Sequence, residues 1–511
     1  MVEHVQPSLD RTAVTRARRS SPWGGPIDRA LRWTSREGLL VSVVGLFLIG
    51  LATSLPRELY QDTWMVILGG REIVAHGLPS QDSLTIWTQG REWVDQQWLA
   101  QLAFYGLYAL GGIKLVLAAH VLATAAAFTL AVAVARRRGA STRSICWVAA
   151  PAYFLLTWGA WNARAQSFAL LLFVAIVALL IRDAHSPSPR VFVALPLLAL
   201  WANIHGTALT GALLVALWGL AYGIEHRREP RGQWLPRSAA LLLVPFCCLF
   251  ASPYGASLAG YYERITFNDG FRRWIVEWSP TALKFQTAPF YLLAFLAVWL
   301  IGRNRAKRLL PFEQVLLVAT LLLGLQTMRA VIWFTLVALM LVPVMLDEVW
   351  RPSTTGPRFH LLSRLAVAVV VAATITTAAV VAGKPTSWFE RSYPTGILTA
   401  YDRVQARDQQ MRVFANERYG DWLLLRRPDL RGRLAFDIRF ELMTPKQLDR
   451  LMAVRWRVDG WRRVVAPYSL FVLQQEETRL AAALLRLPGS RLEYRGHGAV
   501  VISRPAEGGT R

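Results

Sequence analysis

After its first apolar run, the chain reads LPRELYQDTWMVILGGREIVAHGLPSQDSLTIWTQGREWVDQQW over residues 55–98. Asp62 stands between the aromatic residues Tyr60 and Trp64, just beyond the apolar run. A carboxylate in this position suggests a membrane enzyme that works at the outer face. The alternative is that Asp62 only caps a helix at the membrane interface, because Asp is a common N-cap residue.

The composition places the chain among polytopic membrane proteins. Its 511 residues are 54% hydrophobic and only 18% charged, with a mean hydropathy of +0.32, which is too apolar for a soluble protein of this size. Short basic clusters between apolar runs carry much of the net charge of +24, as cytoplasmic loops require, so nucleic acid is not a predicted partner. The three cysteines lie in apolar runs and form neither a disulfide framework nor a zinc spacing.

Eleven apolar segments are candidate membrane spans, and several are shorter than the roughly 20 residues of a full span. Residues 1–37 are basic and longer than a usual signal-peptide leader, so we interpret the first span as a retained helix with a cytoplasmic N-terminus. A signal cleaved near Ser54 is the weaker alternative. The eleven segments are Gly38–Ser54, Gly112–Ala135, Ser144–Trp161, Ser167–Ile181, Val191–Ala208, Ala212–Ile224, Ser238–Ser252, Pro289–Gly302, Phe312–Gln326, Val331–Leu346 and Leu362–Ala382.

The basic loops predict the orientation of these spans. The loop of residues 55–97 holds six acids against three arginines, so it belongs outside, as does the loop 253–288. An odd number of spans then exports residues 384–511. We therefore predict a multi-pass protein of the inner (plasma) membrane whose residues 38–383 lie in the lipid bilayer. Arg272 and Arg273 break the positive-inside rule, whereas the clusters that obey it lie at residues 136–143, 182–190, 226–237, 303–308 and 351–364.

The sequence changes character at residues 383–385, and its pattern predicts that residues 384–511 form a small extracytoplasmic α/β domain. The segment carries no Gly-rich phosphate loop, metal-ligand spacing or nucleophile elbow, so we interpret it as a docking or acceptor-positioning domain. A structural lid is an equal alternative. Asp437 and Arg439 are its most suggestive residues, although a turn-capping Asp explains them as well. The predicted strands are 411–415, 433–437, 463–466, 491–494 and 499–503, and the predicted helices are 445–455 and 476–487.

Polar side chains collect at the predicted outer ends of the spans. Such groups are costly in lipid and are usually functional or paired. A carboxylate that faces several cations suits sugar transfer from polyprenyl phosphate, because it can accept the hydroxyl proton while cations stabilise the departing phosphate. Each residue also has a structural alternative. Arg164 and Arg329 could anchor helix ends among lipid headgroups. Asn203 and His205 could bond free carbonyl oxygens at a helix end broken at Gly206, and Glu277 could pair with Arg273. The candidates beside Asp62 are Lys114, Asn162, Arg164, Gln166, Asn203, His205, Tyr254, Glu277 and Arg329.

Several motifs resemble polytopic bacterial proteins related to the GT-C glycosyltransferases. They are Q-D-T-W, H-G-L-P-S-Q-D-S-L-T and W-V-D-Q-Q-W-L-A-Q in the first loop, and later R-A-Q, L-W-A-N-I-H-G, S-P-Y-G and I-V-E-W. The resemblance spans roughly residues 38–345 and implies a GT-C-like membrane domain, a lipid-phosphate sugar donor and Asp62 as the first-loop catalytic acid. Many GT-C enzymes carry paired acids there, whereas Thr63 and Trp64 follow Asp62. No cofactor is therefore predicted, and the missing second acid argues against a divalent metal.

These observations predict an inverting membrane glycosyltransferase that moves a hexosyl or pentosyl group from polyprenyl phosphate to a cell-envelope glycan, lipid or protein. Asp62 is the predicted base, and Arg164 and Arg329 bind the phosphate. A lipid-linked glycan translocase is an alternative, but transporters usually place polar groups near the bilayer midplane. A further alternative, an O-antigen polymerase or ligase, needs no first-loop Asp. The other predicted substrate-binding residues are Lys114, Gln166, Asn203, His205, Glu277 and Trp64, the last as a sugar-stacking or interface residue like Trp98 and Trp278.

Overall fold

The structure is a computed structural model that describes residues 26–159, 162–350 and 357–506. Most of the predicted cytoplasmic tail, residues 1–25, lies outside the described residues. So do Trp161, at the predicted end of a span, and the beginning of the last predicted cytoplasmic loop, residues 351–356.

Each of the eleven predicted spans corresponds to a helix, because a backbone in lipid must satisfy its hydrogen bonds within the segment. Six helices of the described chain are long and apolar enough to cross a membrane, and three shorter apolar ones lie between them. The helices at the predicted spans are α1 (Pro26–Glu58), α3 (Trp98–Arg137), α4 (Thr142–Gly159), α5 (Gln166–His185), α6 (Ala194–Ala202), α7 (Ala208–His226), α8 (Arg231–Leu249), α11 (Ala288–Gly302), α12 (Pro311–Gln326), α13 (Val331–Val349) and α14 (Pro357–Ala382).

Helix α13 lies at the centre of this membrane domain. Its residues from Val331 to Leu346 are all buried, and it packs against α3, α4, α5, α11 and α12. By contrast, α14 packs on α1 and exposes most of its apolar side chains, as expected of a helix that faces lipid. The segment directly before α13, the 3₁₀ turn Met328–Ala330, is therefore held against the buried centre of the bundle.

The second predicted span is only part of a longer helix. Helix α3 begins at Trp98, and its first part packs on the first-loop helix α2 (Gln61–His76), so residues 98–111 extend the membrane helix outward. The backbone departs from helical geometry at Gly111 and at Gly112, where φ is +63°, a conformation that glycine adopts without steric cost. The sequence pattern missed this extension because polar residues interrupt it.

Helix α2 lies tightly against α3. A Cβ atom at Gly70 would lie 2.2 Å from the carbonyl oxygen of Gln101, so only glycine allows this approach of the two helices. Residues from Thr63 to Gly70 are buried, and the helix therefore forms a fixed platform rather than a mobile surface element.

The loop between α8 and α11 contains two short helices. They are α9 (Ser257–Thr266) and α10 (Asp269–Trp274), and a 3₁₀ turn, Val276–Trp278, follows them. Asn268 caps α10, since its side chain accepts a hydrogen bond from the backbone of Gly270. These elements pass beside the ends of the membrane helices and bring Glu277 and Trp278 to the site described below.

The C-terminal residues form the expected small α/β unit around a four-stranded sheet with the order β1-β2-β4-β3. Strand β1 pairs parallel to β2, and β4 pairs antiparallel to both β2 and β3. The strands are β1 (Val413–Ala415), β2 (Leu470–Gln474), β3 (Arg491–Gly496) and β4 (Ala499–Ser503), and the helices are α15 (Thr386–Phe389), α16 (Gly396–Gln405), α17 (Glu417–Arg426), α18 (Pro445–Trp456), α19 (Trp461–Val465) and α20 (Thr478–Leu485).

Two of the predicted C-terminal strands are wrong and one strand was missed. Residues 463–466 lie at the end of α19, and residues 433–437 make only isolated bridges at Leu434. The true second strand, Leu470–Gln474, has no alternation because it is buried on both faces, and such strands resemble buried helix segments in sequence.

The C-terminal unit packs directly on the first outer loop. Helix α17 lies against α2, and the backbone amides of Ile86 and Trp87 donate to the carbonyl oxygens of Leu434 and Ala435 at 2.8 and 3.0 Å. One continuous cluster of buried apolar residues joins the membrane helices to the sheet. The boundary at residue 383 thus marks a change of sequence character, while the core continues across it.

Candidate functional site

Asp62 lies in the first turn of α2, where Tyr60 is the N-cap residue. The helix-cap alternative for Asp62 is therefore wrong: its carboxylate makes no cap hydrogen bond, and it lies where a negative charge is favoured by the helix dipole. Its side chain is 31% exposed. Oδ2 accepts a hydrogen bond of 2.6 Å from Nδ2 of Asn162, so one face of the carboxylate is held while solvent can reach the group.

The segment after α4 is tied to the first turn of α2. Oγ1 of Thr63 donates to the carbonyl oxygen of Ala163 at 2.7 Å and lies 3.2 Å from Oδ1 of Asn162. The threonine that takes the place of a paired acid is thus buried and braces the residues that contact Asp62. The position of Asn162 and Arg164 follows from this brace.

Arg164 lies between two carboxylates. Its guanidinium nitrogen Nη1 is 3.7 Å from Oδ2 of Asp62 and 3.6 Å from Oε1 of Glu277. The alternative that Glu277 pairs with Arg273 is wrong, because Arg273 lies near Asp449 instead. One cation therefore joins the first outer loop to the loop after α8.

The surroundings shift the pKa values of the two carboxylates in opposite directions. Burial raises the pKa of Asp62 above its usual range, and the positive charge of Arg164 opposes this effect without cancelling it. The guanidinium of Arg164 holds the pKa of Glu277 below its usual range. Asp62 is thus the better proton acceptor of the pair, whereas Glu277 remains a fixed negative charge.

Arg329 adds a second cation beside this pair. It lies in the 3₁₀ turn that leads into α13. Its Nη2 is 3.3 Å from Nε2 of His205, and its guanidinium carbon lies 5.3 Å from the ring centroid of Trp278. Arg329, His205 and Trp278 therefore form a cluster next to Arg164 and Glu277.

Two cavities meet at Arg329. One, of about 460 Å³, is lined by the charged residues Arg164, Glu277 and Arg329 and by mostly apolar side chains. The second, of about 370 Å³, is lined by His205, Trp278 and several hydroxyl groups besides Arg329. The apolar walls of the first include Leu155, Trp158, Val331 and Ile332, and the second includes Thr207, Thr210, Tyr261, Tyr262 and Thr327.

Asn203 is fully used in holding the fold. Its Nδ2 donates to the carbonyl oxygens of Ala199 and Ala251 at 2.8 and 2.7 Å, and its Oδ1 accepts from Nε1 of Trp98 at 2.8 Å. The structural alternative, a polar side chain that bonds carbonyls at a helix end, therefore describes Asn203. Trp98 is likewise held by this contact.

Three other candidates lie apart from the cluster. Lys114 donates to the carbonyl oxygen of Ala382 at 3.0 Å, beside the ring of Phe389. Trp64 is fully buried and so has no face free for a sugar. Gln166 is buried, and neither of its amide atoms has a hydrogen-bond partner within the described residues.

Sequence reasoning missed the tyrosines of the smaller cavity and the ion-pair partner of Arg439 in the first loop. Tyr261 and Tyr262 line the smaller cavity, and their only signal was a Tyr-Tyr pair in a polar outer loop. Arg439 is buried and donates to Asp82 and Asp437 at 2.7 and 2.5 Å. Asp437 and Arg439 were noticed as a pair, but the partner in the first loop lies 357 positions away.

No group of three or more His, Cys, Asp or Glu side chains in the described parts of the chain is placed to hold a metal ion. Arg164 lies between Asp62 and Glu277 and offsets part of their negative charge. Arg329 lies beside this group and adds a second positive charge.

Comparison with known proteins indicates the fold. The chain matches no protein-family model and no curated protein sequence. Among solved structures, ArnT from Cupriavidus metallidurans in the apo state is similar, with a TM-score of 0.50, 14% identity, and coverage of 92% of this chain and 98% of that chain. A second ArnT structure, bound to undecaprenyl phosphate, has a TM-score of 0.47 and 16% identity over the same shares. At such identities the likeness concerns the fold, which is the GT-C fold expected from the sequence.

Proposed function

We propose that this protein is a membrane glycosyltransferase that moves a sugar from a polyprenyl-phosphate donor to a cell-envelope acceptor, with inversion at the anomeric carbon. The observation that carries this proposal is the position of Arg164 within 4 Å of both Asp62 and Glu277, at a cavity whose remaining lining is mostly apolar. A base, cations and an apolar wall are together what a lipid-phosphate donor requires.

The cavity of about 460 Å³ suits the lipid phosphate. Arg164 and Arg329 face it, and guanidinium groups bind phosphate oxygens in a bidentate manner. Its apolar side chains, which include Leu155 and Ile332, favour the first isoprene units of the lipid over water. The donor phosphate would therefore rest between the two arginines, and its chain would leave along α4 and α13.

Asp62 has the properties of a general base. Burial raises the pKa of Asp62 above its usual range, which increases its affinity for a proton, as a general base requires. Asn162 fixes the orientation of the carboxylate. Arg164, on the same oxygen, links the base to the phosphate end of the cavity.

The reaction then balances as a single displacement. The acceptor oxygen forms a bond to the anomeric carbon while the bond from that carbon to the phosphate oxygen breaks, and the hydroxyl proton passes to Asp62. The electron pair leaves with the phosphate, whose charge Arg164 and Arg329 stabilise. Attack from the side opposite the phosphate inverts the anomeric configuration.

The second cavity provides room for a hydroxylated ligand next to this centre. Trp278 offers an aromatic ring beside Arg329, and Thr207, Tyr261 and Tyr262 offer hydroxyl groups. Aromatic faces and hydroxyl groups are the usual partners of sugars. We assign this cavity to the transferred sugar or the acceptor hydroxyl, with Arg329 at the boundary between the two cavities.

The choice of lipid for a test follows from the similar fold, because one of the ArnT structures holds undecaprenyl phosphate. Purified protein in proteoliposomes would receive undecaprenyl-phosphate sugars of several kinds, together with extracted envelope material as acceptor. The measurement is transfer of labelled sugar and release of undecaprenyl phosphate, for the wild type and for Asp62→Asn.

We expect transfer from at least one donor and a fall of about 100-fold or more for Asp62→Asn. The control Glu92→Gln changes an exposed acid of the same loop that pairs with Arg264, and it should act as the wild type does. Undiminished transfer by Asp62→Asn would remove Asp62 as the base. Folded wild-type protein that consumes none of the donors would overturn the proposed function.

A further inference from the structure

The segment Arg455–Arg463 reads RWRVDGWRR and combines two tryptophans with four arginines against one aspartate. It begins with the last two residues of α18 and includes the start of α19. Tryptophan and arginine together are typical of surfaces that lie in the headgroup region of a bilayer, where the ring is half-immersed and the cation meets phosphate. The membrane function proposed above makes no use of this segment.

Apolar and basic side chains of this segment are exposed next to each other. Trp456, the last residue of α18, is 53% exposed and Val458 is 52% exposed. Arg457 between them has a positive φ of 57°, so the chain turns sharply at this point. Arg462 and Arg463 of α19 are also exposed. The result is a surface with apolar and cationic groups side by side.

This surface is fixed to the outer loop that contains Glu277. The ring centroids of Trp456 and Trp274 lie 4.9 Å apart, and Nε1 of Trp274 donates to Oδ1 of Asp449 in α18 at 2.7 Å. Helices α10 and α18 pack against each other. We define the aromatic–basic surface as Trp274, Trp456, Arg457, Val458, Arg462 and Arg463.

Exposed apolar side chains connect this surface to the membrane helices. Val276, Leu283 and Phe285 follow Trp274 in the chain, and all three are exposed. The ring of Phe285 lies 6.0 Å from that of Phe154, which belongs to the last part of the membrane helix α4. An apolar strip, defined as Val276, Leu283 and Phe285, therefore follows the aromatic–basic surface along the chain and ends in contact with a helix of the membrane domain.

The arginines of the surface are available for a ligand. Arg455 is already paired with Glu417 at 2.6 Å and is left out of the definition. Within the described residues, Arg457, Arg462 and Arg463 form no ion pair. Basic side chains near an anionic membrane favour binding through their charge, and an exposed tryptophan adds the burial of its ring.

We propose that the aromatic–basic surface rests on the bilayer in which the protein is embedded and binds anionic phospholipid headgroups. The continuity with the apolar strip and the complementary charge favour this occupant over a soluble partner. Docking in this way would hold the C-terminal unit at a fixed height above the membrane, and with it the loop that contains Glu277.

The test measures the depth of residue 458 in proteoliposomes. A nitroxide attached to Val458→Cys, in a chain whose three native cysteines are replaced by alanine, reports its contact with dissolved oxygen and with a water-soluble nickel chelate. The matched control carries the label at His497→Cys, an exposed position in the turn between β3 and β4. Vesicles contain either phosphatidylcholine alone or phosphatidylcholine with phosphatidylglycerol.

We expect the label at residue 458 to contact oxygen more than the nickel chelate, with greater depth in the anionic vesicles, and the control label to remain in water. Arg462→Glu with Arg463→Glu should abolish the dependence on anionic lipid. A label at residue 458 that is water-exposed in both vesicles would overturn the proposal. So would shielding that arises only when envelope glycan or protein is added, because that result identifies another partner.

A second measurement avoids the replaced cysteines. Brominated phosphatidylglycerol should quench wild-type tryptophan fluorescence more than that of Trp456→Ser, since the difference isolates the ring at position 456. Equal fractional quenching of both proteins would contradict the docked position. Sugar transfer is not a readout in either experiment, so the result is independent of the proposed enzyme.

Discussion

The side-chain amide of Asn162 donates a hydrogen bond of 2.6 Å to Oδ2 of Asp62, although the two residues lie 100 positions apart. Arg164 approaches the same oxygen at 3.7 Å. A carboxylate held by an amide on one side and a cation on the other keeps a defined orientation. Oδ2 is therefore committed to the protein, and we expect Oδ1 to be the oxygen that accepts a substrate proton.

Removing this amide should reduce transfer through misplacement of Asp62. We expect Asn162→Ala to lower kcat by about 10- to 100-fold, since small displacements of a catalytic group have effects of that order. Asn162→Ser, which retains a donor, should recover part of the rate. The measurement is single-turnover transfer with folded protein matched between variants. An unchanged kcat for the alanine variant would show that Arg164 alone orients the carboxylate.

The two arginines that face the larger cavity should affect donor use. Arg164→Ala and Arg329→Ala should each lower kcat/KM for the donor by about 10- to 1000-fold, the range found when a charge-stabilising group is removed. Arg264→Ala, which removes an exposed arginine of the loop after α8, provides the matched control and should leave transfer unchanged. Wild-type kinetics in either cavity variant would show that its arginine anchors a helix end among lipid headgroups and does not bind the donor phosphate.

The pH profile should report the raised pKa of Asp62. A base acts when it is ionised, so transfer should be complete above that pKa and decline as pH falls through it, at a higher pH than for an ordinary aspartate. Arg164→Gln removes the opposing positive charge and should move this acid limb to higher pH. Glu277→Gln removes a neighbouring negative charge and should move it to lower pH. Shifts of the same sign in both variants would contradict the assignment to Asp62.

Asp95 allows a prediction about stability. It is buried in the first loop, and burial raises its pKa to about 7. Oδ1 accepts from Nε2 of Gln101 at 2.9 Å. Because the folded state holds this proton more tightly than the unfolded state does, the contribution of Asp95 to stability falls as pH rises from about 4 to about 7.

Asparagine imitates the protonated side chain at this position. Asp95→Asn should therefore match the wild type below about pH 4 and be more stable at about pH 8, by at most about 4 kcal/mol. Thermal unfolding in detergent at both pH values measures the difference. A variant that is equally destabilised at both values would indicate that the loss arises from packing or from the amide hydrogen atoms.

The orientation in the membrane is tested by labelling with an impermeant thiol reagent. One single cysteine replaces His497 in the C-terminal unit, and the other replaces Arg137, the last residue of α3. Both positions are exposed. We expect the cysteine at residue 497 to react in intact cells and the one at residue 137 only after permeabilisation, as the basic loops predict. The reverse result would place the proposed site on the cytoplasmic side.

The sequence predicted the membrane helices well because lipid leaves the backbone few alternatives. The sequence alone did not show that Arg164 lies at the candidate site while Asn203 only holds the fold, since both are polar residues beside the end of an apolar run. Only contacts between distant residues distinguish them, namely Arg164 with Glu277 and Asn203 with Ala251. Strand β2 was missed for a related reason, because tertiary packing buries it on both faces and its sequence therefore shows no alternation.

The order of the sheet has a consequence for how the protein is made. Strand β4 is the last strand in sequence but lies inside the sheet, between β2 and β3, and Arg439 is joined to Asp82 across 357 positions. The ribosome completes the first loop long before these partners exist. A chain cut before residue 499 would contain every apolar helix and still lack the strand that lies between β2 and β3, so the sheet can be completed only when translation is nearly over.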